Sequence, residues 1–481
     1  MIKNVEIFEK VPVPKAVFKF AVPTVLSMIV AVFYNMVDAF FVGLTNDPSK
    51  FAAVNVATPV FLFLMAAGNI YGMGGSSFLS RALGEKKYDK VKNIASFCFY
   101  AGIVTGIIGG GIMLIFMNPI LRAVGTTETT YGFAREYLGI VALGGPLVVL
   151  SNAYTNLIRG EGAANSSMFG MMAGTAANII LDPIFILDEL FGVKLLGMGV
   201  AGAALATVIG NAVTLTFYIM HVVSKNSVLT IRPNFFKAND GILTGVLAIG
   251  LPASLTNILM SLSSIVTNKL LASYYAVEVT HEPLLSHVST FLNGVPVFGD
   301  VPTAAMGVAF KANMLVIFVQ LGLAIGITPL VGYNFGARNF KRMKAVMKFA
   351  ILVNFIAGLV LTGIYFAFTK KIINIFSNDA AVIDMGVVMI HALMFSSPVI
   401  GIMFVLNFTF QAMGKGVQSL VLAVSRQGII FLPLILILNK LVGLYGIIYA
   451  QPAADAIAVL IALGMFLAIN KELGSSKNPC F

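Results

Sequence analysis

The sequence holds no tryptophan, two cysteines, four histidines and a charged fraction of only 11% in 481 residues. So little charge excludes an ordinary soluble domain, where about a quarter of residues are charged. Cys98 lies in an apolar run and Cys480 at the tail, so no disulfide is expected. His221, His281, His287 and His391 form no H-E-x-x-H pattern, and the cysteines lack ligand-like spacing, which argues against metal chemistry. No G-x-x-x-x-G-K-S/T loop occurs, and no polar stretch is long enough for a nucleotide-binding domain. Neither a nucleotide partner nor a cofactor is expected. Without tryptophan, an interfacial aromatic belt has to rely on 14 tyrosines.

What is present is apolar: 58% of the residues are hydrophobic. A spanning helix needs about 20 predominantly apolar residues. Twelve such runs are read at 16–43, 51–79, 93–117, 133–158, 166–188, 197–222, 241–276, 304–332, 347–369, 381–410, 417–439 and 443–469. The first is too long for a signal-peptide core. An even count puts both termini on one side. With the N-terminus cytoplasmic, 21 Lys and Arg fall on inside segments and seven outside. That asymmetry fixes the expected orientation and explains the net charge of +11 without a nucleic-acid partner.

The two richest basic loops repeat each other. Leu83-Gly84-Glu85-Lys86-Lys87-Tyr88-Asp89-Lys90 lies over Phe335-Gly336-Ala337-Arg338-Asn339-Phe340-Lys341-Arg342 at an offset of 252, as Gly162 lies over Gly414 and Ser167 over Ser419. Val22-Pro23-Thr24 matches Leu251-Pro252-Ala253 at an offset of 229; a polar insert around His281–Pro302 takes up the difference. The expected fold is an all-α membrane protein with twelve transmembrane helices in two parallel-repeat six-helix bundles. The N-lobe spans 1–222, a cytoplasmic linker 223–240, the C-lobe 241–470 and a cytoplasmic tail 471–481. This is a transporter plan, driven by an ion gradient or passive.

Acids inside the membrane are costly unless they are paired or face water. Asp38 in helix 1 lies about five residues, or roughly 8 Å, from the outer end. Asp182 in helix 5 lies at similar depth. Asn178, four residues earlier, shares its face. Pro183 cannot donate to the carbonyl of Ile179, and Thr207 of helix 6 adds a hydroxyl at comparable depth. These oxygens suit a proton or a hard cation such as Na⁺; the alternative is a polar cluster that only ties helices 1, 5 and 6 together. The second half does not repeat the nest, since Thr267 matches Asp38 and Leu434 matches Asp182. Its buried acid is Asp455, for which an internal ion pair drawn from Lys269, Lys311 or Arg426 is expected. His391 reads as a packing residue and Asp384 as solvated. Gly102/Gly106/Gly110 and Gly74-Gly75-Ser76-Ser77 read as close-packing positions, although the latter loosely resembles an intramembrane serine-protease turn.

At these residues the chain resembles the multidrug and toxic compound extrusion (MATE) family. The carriers are Tyr34-Asn35-Met36-Val37-Asp38-Ala39-Phe40-Phe41-Val42-Gly43, Leu157-Ile158-Arg159-Gly160-Glu161-Gly162, Asn178-Ile179-Ile180-Leu181-Asp182-Pro183, Gly199-Val200-Ala201-Gly202-Ala203-Ala204-Leu205-Ala206-Thr207, Gln411-Ala412-Met413-Gly414-Lys415-Gly416 and Gly443-Leu444-Tyr445-Gly446. The resemblance implies a two-lobed antiporter that exports cationic, amphipathic organic compounds in exchange for H⁺ or Na⁺. It implies a coupling site at Asp38, Asn178, Asp182 and Thr207, which would also hold any Na⁺. Tyr34, Asn35 and Asn156 are weaker carry-overs, and Pro23 stands where some members bend helix 1. The family's other branch has a Glu in helix 7, where this chain has Ser261.

The expected protein is thus an ion-coupled exporter, a multi-pass monomer of the cell membrane with both termini cytoplasmic. Its partners are small organic cations and membrane lipid. The alternative is a flippase for a lipid-linked precursor, whose pyrophosphate would need a cationic cavity from Lys269, Lys311 and Arg426. An intramembrane enzyme lacks any nucleophile–base pattern.

Overall fold

The structure is a computed structural model that describes residues 5–45, 47–190, 192–276 and 301–475. The expected polar insert, except Val301 and Pro302, lies outside these residues, as do Cys480 and the side chains of Asn35 and Ser261.

After a short helix α1 (Val5–Glu9), the long helices α2 (Val13–Gly43), α3 (Pro48–Gly84) and α4 (Tyr88–Ile115) follow the first three apolar runs. Asp47 caps α3 by accepting from Ser49 N at 2.9 Å, which satisfies one orphan amide of its first turn. After α5 (Met117–Ala123), the fourth run folds as two helices, α6 (Glu128–Leu143) and α7 (Gly145–Gly160), bent by 60° at Gly144. The sequence reads as one span there, and the pair counts as one broken span. Pro146 in the first turn of α7 and the absent side chain of Gly144 account for the break. α8 (Ala164–Ile186) and α9 (Gly199–Val223) are joined by a hairpin of β1 (Glu189–Leu190) and β2 (Val193–Lys194), with Glu189 opposite Lys194.

In the second half, α10 (Ile242–Ala276) is followed by α11 (Val301–Gly326) and α12 (Thr328–Gly336), which together cover the eighth run. Pro329 in the first turn of α12 separates them. α13 (Phe340–Asn374) and α14 (Ala380–Ala412) are long; the eleventh run comprises α15 (Gly416–Val424), a π-helical turn Ser425–Ile429 and α16 (Phe431–Val442). The last helix, α17 (Leu444–Ser475), runs into the expected tail. Among the described residues, ten helices, counting α11 with α12 and α15 with α16 as one each, are long and apolar enough to span; the bent pair and α10 complete twelve. The protein is therefore an all-α, multi-pass membrane protein. Ile107, Ile108, Ile115, Leu143 and Ile180 are exposed, as expected of helices that face lipid tails.

Contacts divide the chain into two compact units. The first comprises Met1–Ser254, Ile325–Val346 and Thr409–Gly416, and so includes residues 223–240, read from sequence as a linker. The second comprises Leu255–Ala324, Met347–Phe408 and Val417–Phe481. The core of the first unit gathers Leu64, Leu121, Leu138, Val148 and Ala203. The core of the second gathers Met306, Tyr365, Met389, Ile435 and Ala454.

The sequence repeat is also a repeat of conformation. Lys86 and Arg338, 252 residues apart, both adopt left-handed backbone at φ 60° and 56°, and Gly162 and Gly414 do so at 101° and 82°. Ser167 Oγ donates to the Thr155 carbonyl at 2.7 Å, while Ser419 Oγ donates to Asn407 Oδ1 at 2.8 Å; both partners are again 252 residues apart.

Candidate functional site

Close helix approach builds the site. Gly174 of α8 meets Gly210 and Thr214 of α9 where any Cβ would collide with them. A Cβ on Gly210 would lie 3.1 Å from that of Asn178, so the missing side chain makes room for the amide. The α8–α9 seam therefore exists because small residues face each other. Thr207 stands one turn before Gly210, and α2 lies against α8 with Tyr34 and Asp38 on the shared side.

The sequence-predicted residues meet there. Tyr34 Oη and Thr207 Oγ1 are 3.2 Å apart, linking α2 to α9. Asn178 Nδ2 donates to Asp182 Oδ1 at 3.3 Å along α8. Asn178, Asp182 and Thr207 are 2%, 0% and 3% exposed; Asp38 is partly buried. Asp38 and Asp182 are close enough to act on each other electrostatically. Three oxygens in this cluster are buried without a hydrogen-bond partner among the described residues: Asp38 Oδ1, Asn178 Oδ1 and Asp182 Oδ2. A buried acceptor without a donor is costly, and a carboxylate oxygen more so. Such a set is stabilised by a proton or a cation. Among the described residues no three His, Cys, Asp or Glu side chains gather as a metal site, so two carboxylates and neutral oxygens are what the cluster offers.

Sequence reasoning missed the supporting shell. Asn211 Nδ2 donates to the Thr207 carbonyl at 2.8 Å, and Ser151 Oγ donates to Asn211 Oδ1 at 2.6 Å, so α7 braces α9. Tyr137 of α6 is buried and within electrostatic reach of both Asp38 and Asp182. A tyrosine in an apolar helix carries no sequence signal beyond packing, which is why it was missed. Asn156, carried over from the resemblance, is engaged elsewhere. It donates to the Asn152 carbonyl at 3.2 Å and accepts from Arg159 Nη1 at 3.2 Å. α2 runs through Pro23 unbroken, and Ser27 Oγ bonds the Pro23 carbonyl at 2.9 Å.

The second unit holds its acid differently. Asp455 Oδ1 accepts from Arg426 Nε and Gln451 Nε2, each at 2.8 Å, and Oδ2 accepts from Ser396 Oγ at 2.9 Å. Of the three cations considered, Arg426 is the partner; Lys269 and Lys311 are exposed. His391 stacks on Phe366 with centroids 4.3 Å apart and meets Thr369 Oγ1 at 2.9 Å, a packing role. Gly106 and Gly110 pack on Pro146 and Ala142, where a Cβ would clash.

Comparison with known proteins shows the family. The MatE family model matches residues 23–184 and 275–437, the two halves of the repeat. The chain is 32% identical over 470 residues to the multidrug export protein MepA of Staphylococcus saprophyticus, covering 98% of this chain and 97% of that one. It is 32% identical over 456 residues to the protein of the same name from Staphylococcus aureus, covering 95% and 94%. Among solved structures, an outward-facing multidrug resistance MATE family transporter of the MOP superfamily superposes with a TM-score of 0.83 at 26% identity, over 98% and 99% of the two chains. The chain belongs to the MatE family, and it is a transporter rather than an enzyme.

Proposed function

We propose that the protein is a multidrug efflux antiporter of the cell membrane, which exports amphipathic organic cations in exchange for H⁺ or Na⁺ and acts as a monomer with both termini cytoplasmic. The observation that carries this reading is the trio of buried oxygens on Asp38, Asn178 and Asp182 without a partner among the described residues. Asp38 and Asp182 hold the negative charge that attracts the cationic compound. Asn178 fixes one oxygen of Asp182, and Tyr34 and Thr207 tie α2 to α9 beside it. Entry of H⁺ or Na⁺ from outside cancels charge in the nest, lowers its affinity for the compound and releases it outward. The neutralised nest then favours the return state, so that the ion gradient drives export.

The multidrug character is supported by the relatives named as multidrug export proteins. The orientation is supported by the 21-to-seven distribution of Lys and Arg. The flippase alternative has less support, because Arg426 is already committed to Asp455. The deciding experiment is flux in vesicles of purified protein, with H⁺ and Na⁺ gradients imposed one at a time. Export of a lipophilic dye cation driven by one of these gradients is expected; flux indifferent to both would sink the antiporter reading.

A further inference from the structure

The N-terminal segment makes bonds that the export site does not require. Phe8 is fully buried, and its ring stacks on Tyr333 with centroids 4.6 Å apart and an 11° tilt. Tyr333 Oη donates to Glu9 Oε1 at 2.7 Å. Arg342 Nε donates to the Phe8 carbonyl at 2.6 Å, and its Nη2 reaches the carbonyls of Ile7 at 3.3 Å and of Val11. Asn334 Nδ2 adds a bond of 3.4 Å to the Phe8 carbonyl. One guanidinium thus gathers carbonyls at and just beyond the C-terminal end of α1, where the unsatisfied oxygens carry partial negative charge. The partners lie more than 320 residues apart in sequence, yet within one compact unit.

The repeat makes this attachment asymmetric. Tyr333 and Arg342 are the counterparts of Arg81 and Lys90 at the 252 offset. Where α3 crosses α12, the contact is reciprocal: a Cβ on Gly84 would strike the Tyr333 carbonyl, and a Cβ on Gly336 would strike the Arg81 carbonyl. Glycine at both positions is what lets the two helix ends touch. Beyond this symmetric crossing the copies part. Lys90 lies over the Phe78 ring at 4.6 Å, whereas Arg342 binds the N-terminal segment. The lead-in to α10 docks on α4 instead, through Ser96 Oγ to the Arg232 carbonyl and Tyr100 Oη to the Ile231 carbonyl, both at 3.0 Å. Each half's first helix is therefore entered from a segment fastened to a helix of the other half.

We infer that residues 5–11 form a strap that locks the α3–α12 crossing shut, with Arg342 as its clasp, and that releasing the strap is a step in opening the cytoplasmic face. The strap adds a charged, three-carbonyl attachment to a crossing whose own contacts are small residues and backbone. Because α3 belongs to the first half of the repeat and α12 to the second, rocking of one half against the other would break that crossing, and the strap sets how readily it breaks. This inference rests on the reading of the chain as an alternating carrier with its basic loops inside.

The test is a distance measurement, independent of flux. Spin labels at Lys87→Cys and Lys341→Cys, in a Cys98→Ala, Cys480→Ser background and in lipid nanodiscs, report the separation of the two loops. The parent is expected to give one short-distance population. Arg342→Ala should raise the ratio of long to short distances about tenfold, the size expected for losing a charge-assisted attachment. Tyr333→Phe, which removes only the bond to Glu9, should raise it less, and it covers the case in which Arg342→Ala fails to fold. Lys90→Ala, the same charge removal at the repeat-related site, should leave the distribution unchanged. No change with either strap variant overturns the inference, as does an equal change with Lys90→Ala. Ion-driven dye export by the parent in vesicles tests the antiporter reading separately, so the two can fail independently.

Discussion

Asn178 gives one amide hydrogen to Asp182 across 3.3 Å, and among the described residues neither its own oxygen nor the second carboxylate oxygen has a hydrogen-bond partner. The amide therefore orients the acid without neutralising it. Because one residue positions the other, Asn178→Ala and Asp182→Asn are expected to act as a unit. Each should weaken the dependence of export on the driving ion. The double variant should be little worse than the worse single one, with an interaction of about 0.5–3 kcal/mol in a double-mutant cycle of ion affinity. Strict additivity would assign the two side chains independent packing roles.

Asp38 differs from Asp182 in being only partly buried, while each acid has one oxygen without a hydrogen-bond partner among the described residues. It is therefore the acid better placed to exchange an ion. Asp38→Asn keeps the shape of the side chain but fixes it neutral, so gradient-driven export should fall to the level of protein-free vesicles. Insertion and elution as a single folded species should be unchanged. Full ion-driven export by this variant would remove Asp38 from the coupling mechanism.

How far the sequence reaches can be judged at these positions. Asp38, Asn178, Asp182 and Thr207 were legible because a polar side chain in an apolar run is costly and because the i, i+4 spacing puts two of them on one face. Tyr137, Asn211 and Ser151 were not. Their roles depend on which helices become neighbours, and that follows from seams such as Gly174–Gly210, where an absent side chain matters. The bend at Gly144 was hidden for a related reason, since the composition of residues 133–158 is that of a straight span. The repeat, by contrast, was legible, and the structure extends it to backbone conformation at Lys86 and Arg338. The choice of Arg426 over Lys269 or Lys311 needed coordinates, because a π-helical turn lies at Arg426.

That ion pair yields a stability prediction. Arg426 and Asp455 are 8% and 4% exposed at their side chains, and the carboxylate accepts three bonds. Removing either partner leaves a buried charge. Asp455→Leu should therefore cost about 3–5 kcal/mol, read as a large drop in the thermal midpoint of purified protein. The combination Arg426→Met with Asp455→Leu removes both charges and should recover most of the loss. If the double variant is as unstable as the single one, the shape of the network rather than its charge is what matters. Neither outcome bears on the coupling site.

The charge of the export nest predicts competition between compound and ion. With Asp38 and Asp182 ionised, the nest is anionic and attracts a lipophilic cation. Protonation or Na⁺ binding removes that negative charge, so the sign is fixed: dye affinity should fall as pH falls or as Na⁺ rises, depending on which ion couples. A dye binding isotherm on purified protein, repeated across pH at fixed salt and across Na⁺ at fixed pH, reads this directly. The coupling ion is the one whose titration weakens binding, and Asp38→Asn should flatten that dependence. A polyprenyl pyrophosphate, being anionic, should not compete with the dye in the same way. Dye affinity indifferent to both ions, together with tight binding of the pyrophosphate, would instead favour a flippase and leave the buried oxygens of Asp38, Asn178 and Asp182 as a structural cluster.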